Sequence, residues 1–339
     1  SLVLPAIAGN DSPSTSPRSG TDVAAIPGLR ELWDQTLGDP RVCIAVLDGP
    51  VDLSHPCFQG ADVELHPSAR PSAHKGAAAQ HGTHVASVIF GQHQSDVKGI
   101  APKSHGVVIP VFRDGQGGEV IPCSQIELAR SITLAVQYAK DRGAAALLIN
   151  ISGGQFSPSG EAHPLLSDVV RSISPDMHLI VSAAGNQGCE CLHIPGAMPT
   201  VLAVGAMSND GTPLAFSNWG KSYQTQGILA IGEDIRGASL DHGIEFKTGT
   251  SYATPIVTGI AALLLSIQMK RTGALSTDLV RQALLRSTVN CEQKPITDCR
   301  RLLAGRLNAR SALLNLTEKG HHVMPHDQQL DSPDAEQVT

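Results

Sequence analysis

A carboxylate, an imidazole, a hydroxyl and a carboxamide stand in four separate segments of this 339-residue chain, each with flanks suited to presenting one reactive group. Asp48 ends the apolar run Val42–Leu47 and is followed by Gly49 and Pro50. A carboxylate at the end of a buried strand is costly without partners. It could orient an imidazole and stabilise its protonated form, or simply begin the turn. His81 lies in His81-Gly82-Thr83-His84-Val85-Ala86, where a helix is expected to open at the histidine and make it a base within reach of a substrate. A metal-peptidase helix would read His-Glu-x-x-His, with ligands four apart and a glutamate base; this segment has neither feature. Ser251 lies in Gly249-Thr250-Ser251-Tyr252-Ala253-Thr254-Pro255, ahead of an apolar helical run. A serine there feels the positive end of the helix dipole and free backbone N–H groups, although an N-cap is the other role open to it. Pro255 is expected in the first helical turn. Asn186, in Ser182-Ala183-Ala184-Gly185-Asn186, could donate from its amide to a developing oxyanion or fill a turn.

These groups need a scaffold that brings distant segments together. The runs Val42–Leu47, Val107–Phe112, Ala145–Ile151, Leu179–Ala184 and Val201–Ala206 are continuously apolar, as strands buried on both faces are. Helical spacing marks Ser124–Asp141, Thr254–Met269 and Thr277–Arg286. Buried strands alternating with helices imply an α/β fold around a mostly parallel sheet, with its site at the carboxyl ends of the strands. Several strands end in polar or glycine clusters: Asp48-Gly49, Asn150 to Gly154, and Ala184 to Asn186.

Composition excludes other classes. A net charge of −6 and a pI near 6.1 disfavour nucleic acid and anionic membrane as partners. With 41% hydrophobic and 17% charged residues, wholesale disorder is excluded. No uninterrupted apolar stretch approaches the ~18 residues of a membrane span. Residues 1–22 are expected to be a flexible lead-in, 23–318 one catalytic domain, and 319–339 a tail or linker. Residues 1–20 show no basic region followed by an apolar core, and the seven cysteines are too sparse for a disulfide scaffold. A cytoplasmic location is therefore expected, with secretion as the alternative.

The order Asp, His, Ser, each in its own flank, resembles the subtilisin-like serine proteases. The His81 and Ser251 segments match that family's motifs nearly letter for letter, and the likeness spans roughly residues 25 to 316. The Asp block departs, because Asp48-Gly49-Pro50 stands where the family has Asp-Thr/Ser-Gly. The resemblance implies a three-layer fold with helices on both faces of the sheet. It implies Ser251 as nucleophile, His81 as general base, Asp48 as its orienting acid and Asn186 in the oxyanion hole. Ser152, Gly153 and Gly154 would flank an extended peptide on one side, and Gly115, Gln116 and Gly117 on the other. Ile26-Pro27-Gly28-Leu29, Leu37 to Val42 and Asp48 to Pro56 are similar to the proteases of cyanobactin pathways. The leader-removing type is expected, since only 33 positions separate Asp48 from His81 and leave no room for the cyclising type's helical lid. A general-purpose subtilisin, a macrocyclase and an inactive peptide-binding relative are the alternatives. No cofactor is expected, and no metal: Cys57 stands where the family places an acidic calcium ligand. Cys189, Cys191 and His193 give at most half a zinc site. A disulfide between Cys291 and Cys299 is possible.

Overall fold

The computed structural model describes residues 1–4, 20–69, 75–117 and 119–318. In chain order the elements are α1 (Leu29–Trp33), β1 (Val42–Asp48), β2 (Val63–Leu65), α2 (Ala77–Phe90), β3 (His105–Pro110), β4 (Arg113–Asp114), β5 (Val120–Ile121) and α3 (Gln125–Asp141). Then follow β6 (Ala146–Ile151), β7 (Gln155–Phe156), α4 (Pro164–Ser172), β8 (His178–Ala183), β9 (His193–Ile194), β10 (Leu202–Met207), α5 (Tyr223–Gln226) and β11 (Gly227–Ile231). The chain ends with β12 (Ile235–Ala238), β13 (Ile244–Lys247), α6 (Thr250–Thr272), α7 (Thr277–Arg286) and α8 (Ala309–Glu318).

Seven strands form one parallel sheet in the order β11-β10-β8-β6-β1-β3-β2. Every residue of β1, β6, β10 and β11 is buried, which is why these segments read as unbroken apolar runs rather than alternating ones. Helices α2 and α6 pack on each other and both reach β1. Helix α3 packs on β1, β3 and β6 and against α4. The chain turns to one side of β1 to make β3 and to the other to make β6, and the crevice opens at this switch point.

Four of the five expected strands lie within about one residue of their expected ends. The exception is β3, which stops at Pro110 instead of Phe112. The Val111 N–H makes the last ladder bond, to the Asp48 carbonyl at 2.7 Å, and the Phe112 N–H turns back to the same carbonyl at 3.2 Å, which ends the strand. Helix α6 starts at Thr250, so Pro255 is its sixth residue and not part of the first turn. A proline there removes the amide hydrogen that would otherwise bond the Ser251 carbonyl. Helix α6 is long and apolar enough to cross a bilayer, but it is buried inside the protein.

The lead-in also differs from expectation. Leu2 is fully buried and paired, and Thr21 pairs with Asp234 and Arg236; residues 5–19, like 319–339, lie outside the described residues. Cys291 is paired with Cys299, and Cys189 with Cys191, so the latter two are not half of a zinc site. Cys43, Cys57 and Cys123 are buried free thiols.

Candidate active site

His81 sits in the second turn of α2, not at its opening. The helix starts four residues earlier because a distant carboxylate caps it. Asp114 accepts from the Ala78 N–H at 2.7 Å through Oδ1 and from the Ala79 N–H at 3.2 Å through Oδ2. The turn after β1 is pressed against this helix. A Cβ on Gly49 would collide with the Ala78 carbonyl, and one on Gly82 with the Gly49 carbonyl. The unusual Asp48-Gly49-Pro50 turn thus serves close approach of helix and strand, and the carboxylate stays in place.

Asp48 is fully buried at the end of β1. Its Oδ1 accepts from the Gly49 N–H at 2.6 Å and from His81 Nδ1 at 2.7 Å. With Nδ1–H held by the carboxylate, Nε2 is the nitrogen left to take a proton. The ring also lies against Tyr252, with centroids 5.3 Å apart. Tyr252 in turn meets His84 edge-on at 4.7 Å. His84 itself is buried and bonds the Ile235 carbonyl at 3.0 Å, tying α2 to β12. It is a core histidine, and burial pushes its pKa down to about 3.

Ser251 is the second residue of α6. Its Oγ donates to the Ser152 carbonyl at 2.8 Å rather than to His81. Beneath it, Asn150 donates to Ser152 Oγ at 3.0 Å and accepts from Thr258 at 2.9 Å, which locks the end of β6 to α6. Asn186 follows Gly185, whose φ of +102° favours glycine. Asn186 Oδ1 accepts from Thr250 twice, from the backbone N–H at 3.0 Å and from the hydroxyl at 2.8 Å. A backbone N–H can only donate, so the carbonyl end of the amide faces Thr250 and Nδ2 is the end turned away from it. Asn218 bonds the Ala184 carbonyl and both ends of Gln187, fixing this turn.

An extended segment already lies on the expected peptide strand. Val3 N–H donates to the Gly154 carbonyl at 2.9 Å, and Gly154 N–H donates to the Val3 carbonyl at 3.2 Å. On its other side Leu2 exchanges the same pair of bonds with Cys123. Residues 2 and 3 therefore form the middle strand of three, with Leu2 buried. Ser152 accepts from Ser251, and Gly154 pairs with Val3. Gly115, Gln116 and Gly117 lie in the turn between β4 and β5. Gly115 N–H bonds the Glu119 carbonyl at 2.7 Å, and Gly117 N–H bonds the Glu119 carboxylate at 3.0 Å. The Gly115 and Gly117 amides are used within the turn, and the other side of the Leu2–Val3 segment is held by Cys123. Asp114, Thr250, Tyr252 and Cys123 are the residues that motif reading missed. Only Thr250 and Tyr252 had a signal, their adjacency to Ser251.

Among the described residues no cluster of three or more metal-binding side chains occurs. Cys57 is a buried thiol whose pKa burial pushes up to about 12, so it stays protonated and suits no hard cation.

The model of the subtilase family matches residues 39–318. The solved structure of the prenylagaramide maturation protease PagA is 48% identical, covers 86% of this chain and 99% of that one, and superposes with a TM-score of 0.78. The PatG macrocyclase in complex with peptide is 32% identical, covers 88% and 98%, and gives a TM-score of 0.76. A thermophilic serine proteinase of Bacillus sp. (strain AK1) is 30% identical over 238 residues, 69% of this chain. The chain spans about half the length of that curated relative, 54% of it.

Proposed function

The chain belongs to the subtilase family, and from that premise we propose that it is a serine endopeptidase that cuts an extended precursor peptide to release its N-terminal leader. The observation that carries this reading is the convergence of Asp48, His81, Ser251 and Asn186 beside a strand, Ser152–Gly154, on which an extended segment is already paired.

The peptide adds as an antiparallel strand. With one of its residues paired to Gly154 as Val3 is, the N–H two residues further on donates to the Ser152 carbonyl. That carbonyl now accepts the Ser251 hydroxyl. The incoming N–H takes over this acceptor and frees the hydroxyl to turn to His81 Nε2. Ser251 Oγ then attacks the carbonyl carbon of that peptide residue, and its proton passes to Nε2. Asp48 stabilises the imidazolium without itself taking the proton. The negative charge on the carbonyl oxygen is met by Asn186 Nδ2 and the backbone N–H of Ser251. As the C–N bond breaks, His81 returns the proton to the leaving amine. A water, deprotonated by His81, opens the acyl-enzyme.

Hydrolysis is favoured over ring closure. Between Asp48 and His81 the described residues before α2 hold only a short 3-10 turn, Pro56–Phe58, and β2, leaving the acyl-enzyme open to water. Support for a maturation role comes from the 48% identity to PagA, against 32% to PatG. The test has two parts: a fluorophosphonate probe should label Ser251, and a leader-bearing precursor should be cut once into two linear fragments. A protein that binds the precursor yet is neither labelled nor active would be the inactive peptide-binding relative.

A further inference from the structure

We propose that the cavity between α4 and α7 is a second binding site, one that takes a carboxylate carried on a compact apolar body. The proposal goes beyond the peptidase reading and does not depend on it. The two sites use opposite ends of β8. Asn186 follows the carboxyl end of that strand, while its first three residues, His178, Leu179 and Ile180, line the cavity. The cavity volume is about 660 Å³, within the range that encloses a small ligand.

The walls are mostly apolar. Val170 of α4, Leu179 and Ile180 of β8, and Met198 ahead of β10 are the most buried of them, each 4% exposed or less. Pro164 and Ile173, at the two ends of α4, add further apolar surface. The unbranched Met198 side chain can adjust to what enters. Such walls suit an aliphatic body and by themselves give an ion no reason to enter.

One cation breaks this surface. Arg281 of α7 lines the cavity with its Nε shielded from solvent and without a hydrogen-bond partner. Asp278, one turn earlier, attracts it but is itself bonded by Gln282 at 2.5 Å. Burial opposes the charge and lowers the Arg281 pKa, yet an arginine stays protonated. A guanidinium held in an apolar wall with a donor unused costs stability, and a carboxylate entering the cavity would answer it. The other ionisable side chains that line the cavity do not supply that partner. Arg171 is paired with Asp168 at 2.5 Å, and Glu161 is exposed to solvent. Burial lowers the His178 pKa, so its ring is neutral at pH 7, with Nδ1 bonded to the Ser174 carbonyl at 3.1 Å. A neutral or cationic head group would leave Arg281 unanswered, whereas a carboxylate matches the planar donors of a guanidinium.

The experiment measures binding to the full chain by calorimetry, with two matched pairs of probes. Octanoate is compared with octanol, and acetyl-leucyl-leucine with its C-terminal amide. At least one carboxylate should bind at a single saturable site about tenfold or more tighter than its uncharged partner. The pair that shows the preference identifies the source, a free alkanoate or the C-terminus of an apolar peptide. Arg281→Met should weaken the preferred carboxylate by about tenfold or more and leave its uncharged partner unchanged, which also reports that the cavity is intact. Ala162→Trp, which fills the cavity from its lining, should weaken both members of the pair. A wild type that prefers the carboxylate in neither pair overturns the proposal whether or not the variants fold. So does a carboxylate whose affinity is unchanged in Arg281→Met or in Ala162→Trp, because it binds elsewhere. Cleavage enters none of these readouts, so failure of the peptidase reading and failure of this proposal are separate results.

Discussion

Thr250 holds the carboxamide of Asn186 by its oxygen, through both its backbone N–H and its hydroxyl, so the amide nitrogen has one direction left to point. The residue that immediately precedes the nucleophile thus orients the group opposite it. Asn186→Ala should lower kcat by about 10²–10³, the cost of losing one oxyanion donor in subtilisin. Thr250→Val keeps the backbone bond and removes the hydroxyl; it should lower kcat by about tenfold with KM little changed. Steady-state kinetics with a short peptide check both. A Thr250→Val enzyme with unchanged kcat would mean that the amide needs no second anchor.

With a peptide added to Ser152–Gly154 as proposed, Ser1–Leu4 would compete with it for that strand. Val3 donates to Gly154 at 2.9 Å, the bond an added peptide must make. Val3→Pro removes that donor, and deletion of residues 1–4 removes the segment. Both should lower KM for a short extended peptide and leave kcat unchanged, because the occupied fraction of the cleft falls. An unchanged or raised KM would show that peptides approach elsewhere.

Acid should destabilise the protein through two buried histidines. His84 is pushed down to about 3, chiefly by burial, with nearby His81 and Lys247 further opposing its charge. His193 is pushed down to about 4 by burial. In the unfolded chain each has a pKa near 6.5. Below that value the unfolded state binds protons that the folded state refuses. Their contribution is therefore fully present above pH 6.5 and is lost as pH falls toward 4 and then 3. The loss is on the order of 1 kcal/mol per pH unit for each. Melting temperatures between pH 7 and pH 4 should fall, and His84→Gln should flatten the slope. An identical slope in the variant would remove His84 as a cause.

Chelation should leave stability unchanged. Cys57 replaces the expected acidic ligand, and its thiol stays protonated. Excess EDTA should shift the melting temperature by less than about 5 °C; a larger fall would reveal a bound metal contributing on the order of 1–2 kcal/mol or more.

Three of the four groups are legible in sequence because a strand end or a helix start presents the side chain through short-range rules, whereas His81, in the second turn of α2, is legible from its motif alone. Asp48 closes β1, Asn186 follows β8, and Ser251 opens α6. Features set by tertiary neighbours were not legible. Nothing local says that Asp114 caps α2, so the start of that helix was misplaced. Nothing local says that Cys189 and Cys191 pair with each other, which leaves His193 buried beside a disulfide rather than in a metal half-site. The glycines of Gly115-Gln116-Gly117 fit a tight turn as well as an open strand edge, and only the bonds to Glu119 decide between them. The apolar Leu2-Val3-Leu4 was absorbed into a lead-in whose Ser/Pro-rich remainder dominates its composition.

The most direct test is the mass of the products formed from a leader-bearing precursor peptide by the wild type and by Ser251→Ala. The wild type should give two linear fragments whose masses sum to the precursor plus one water. Ser251→Ala should leave the precursor intact while keeping the parent's melting temperature. A circular product without the added water, or cleavage by Ser251→Ala within about tenfold of the wild-type rate, would contradict hydrolysis by a Ser251 nucleophile.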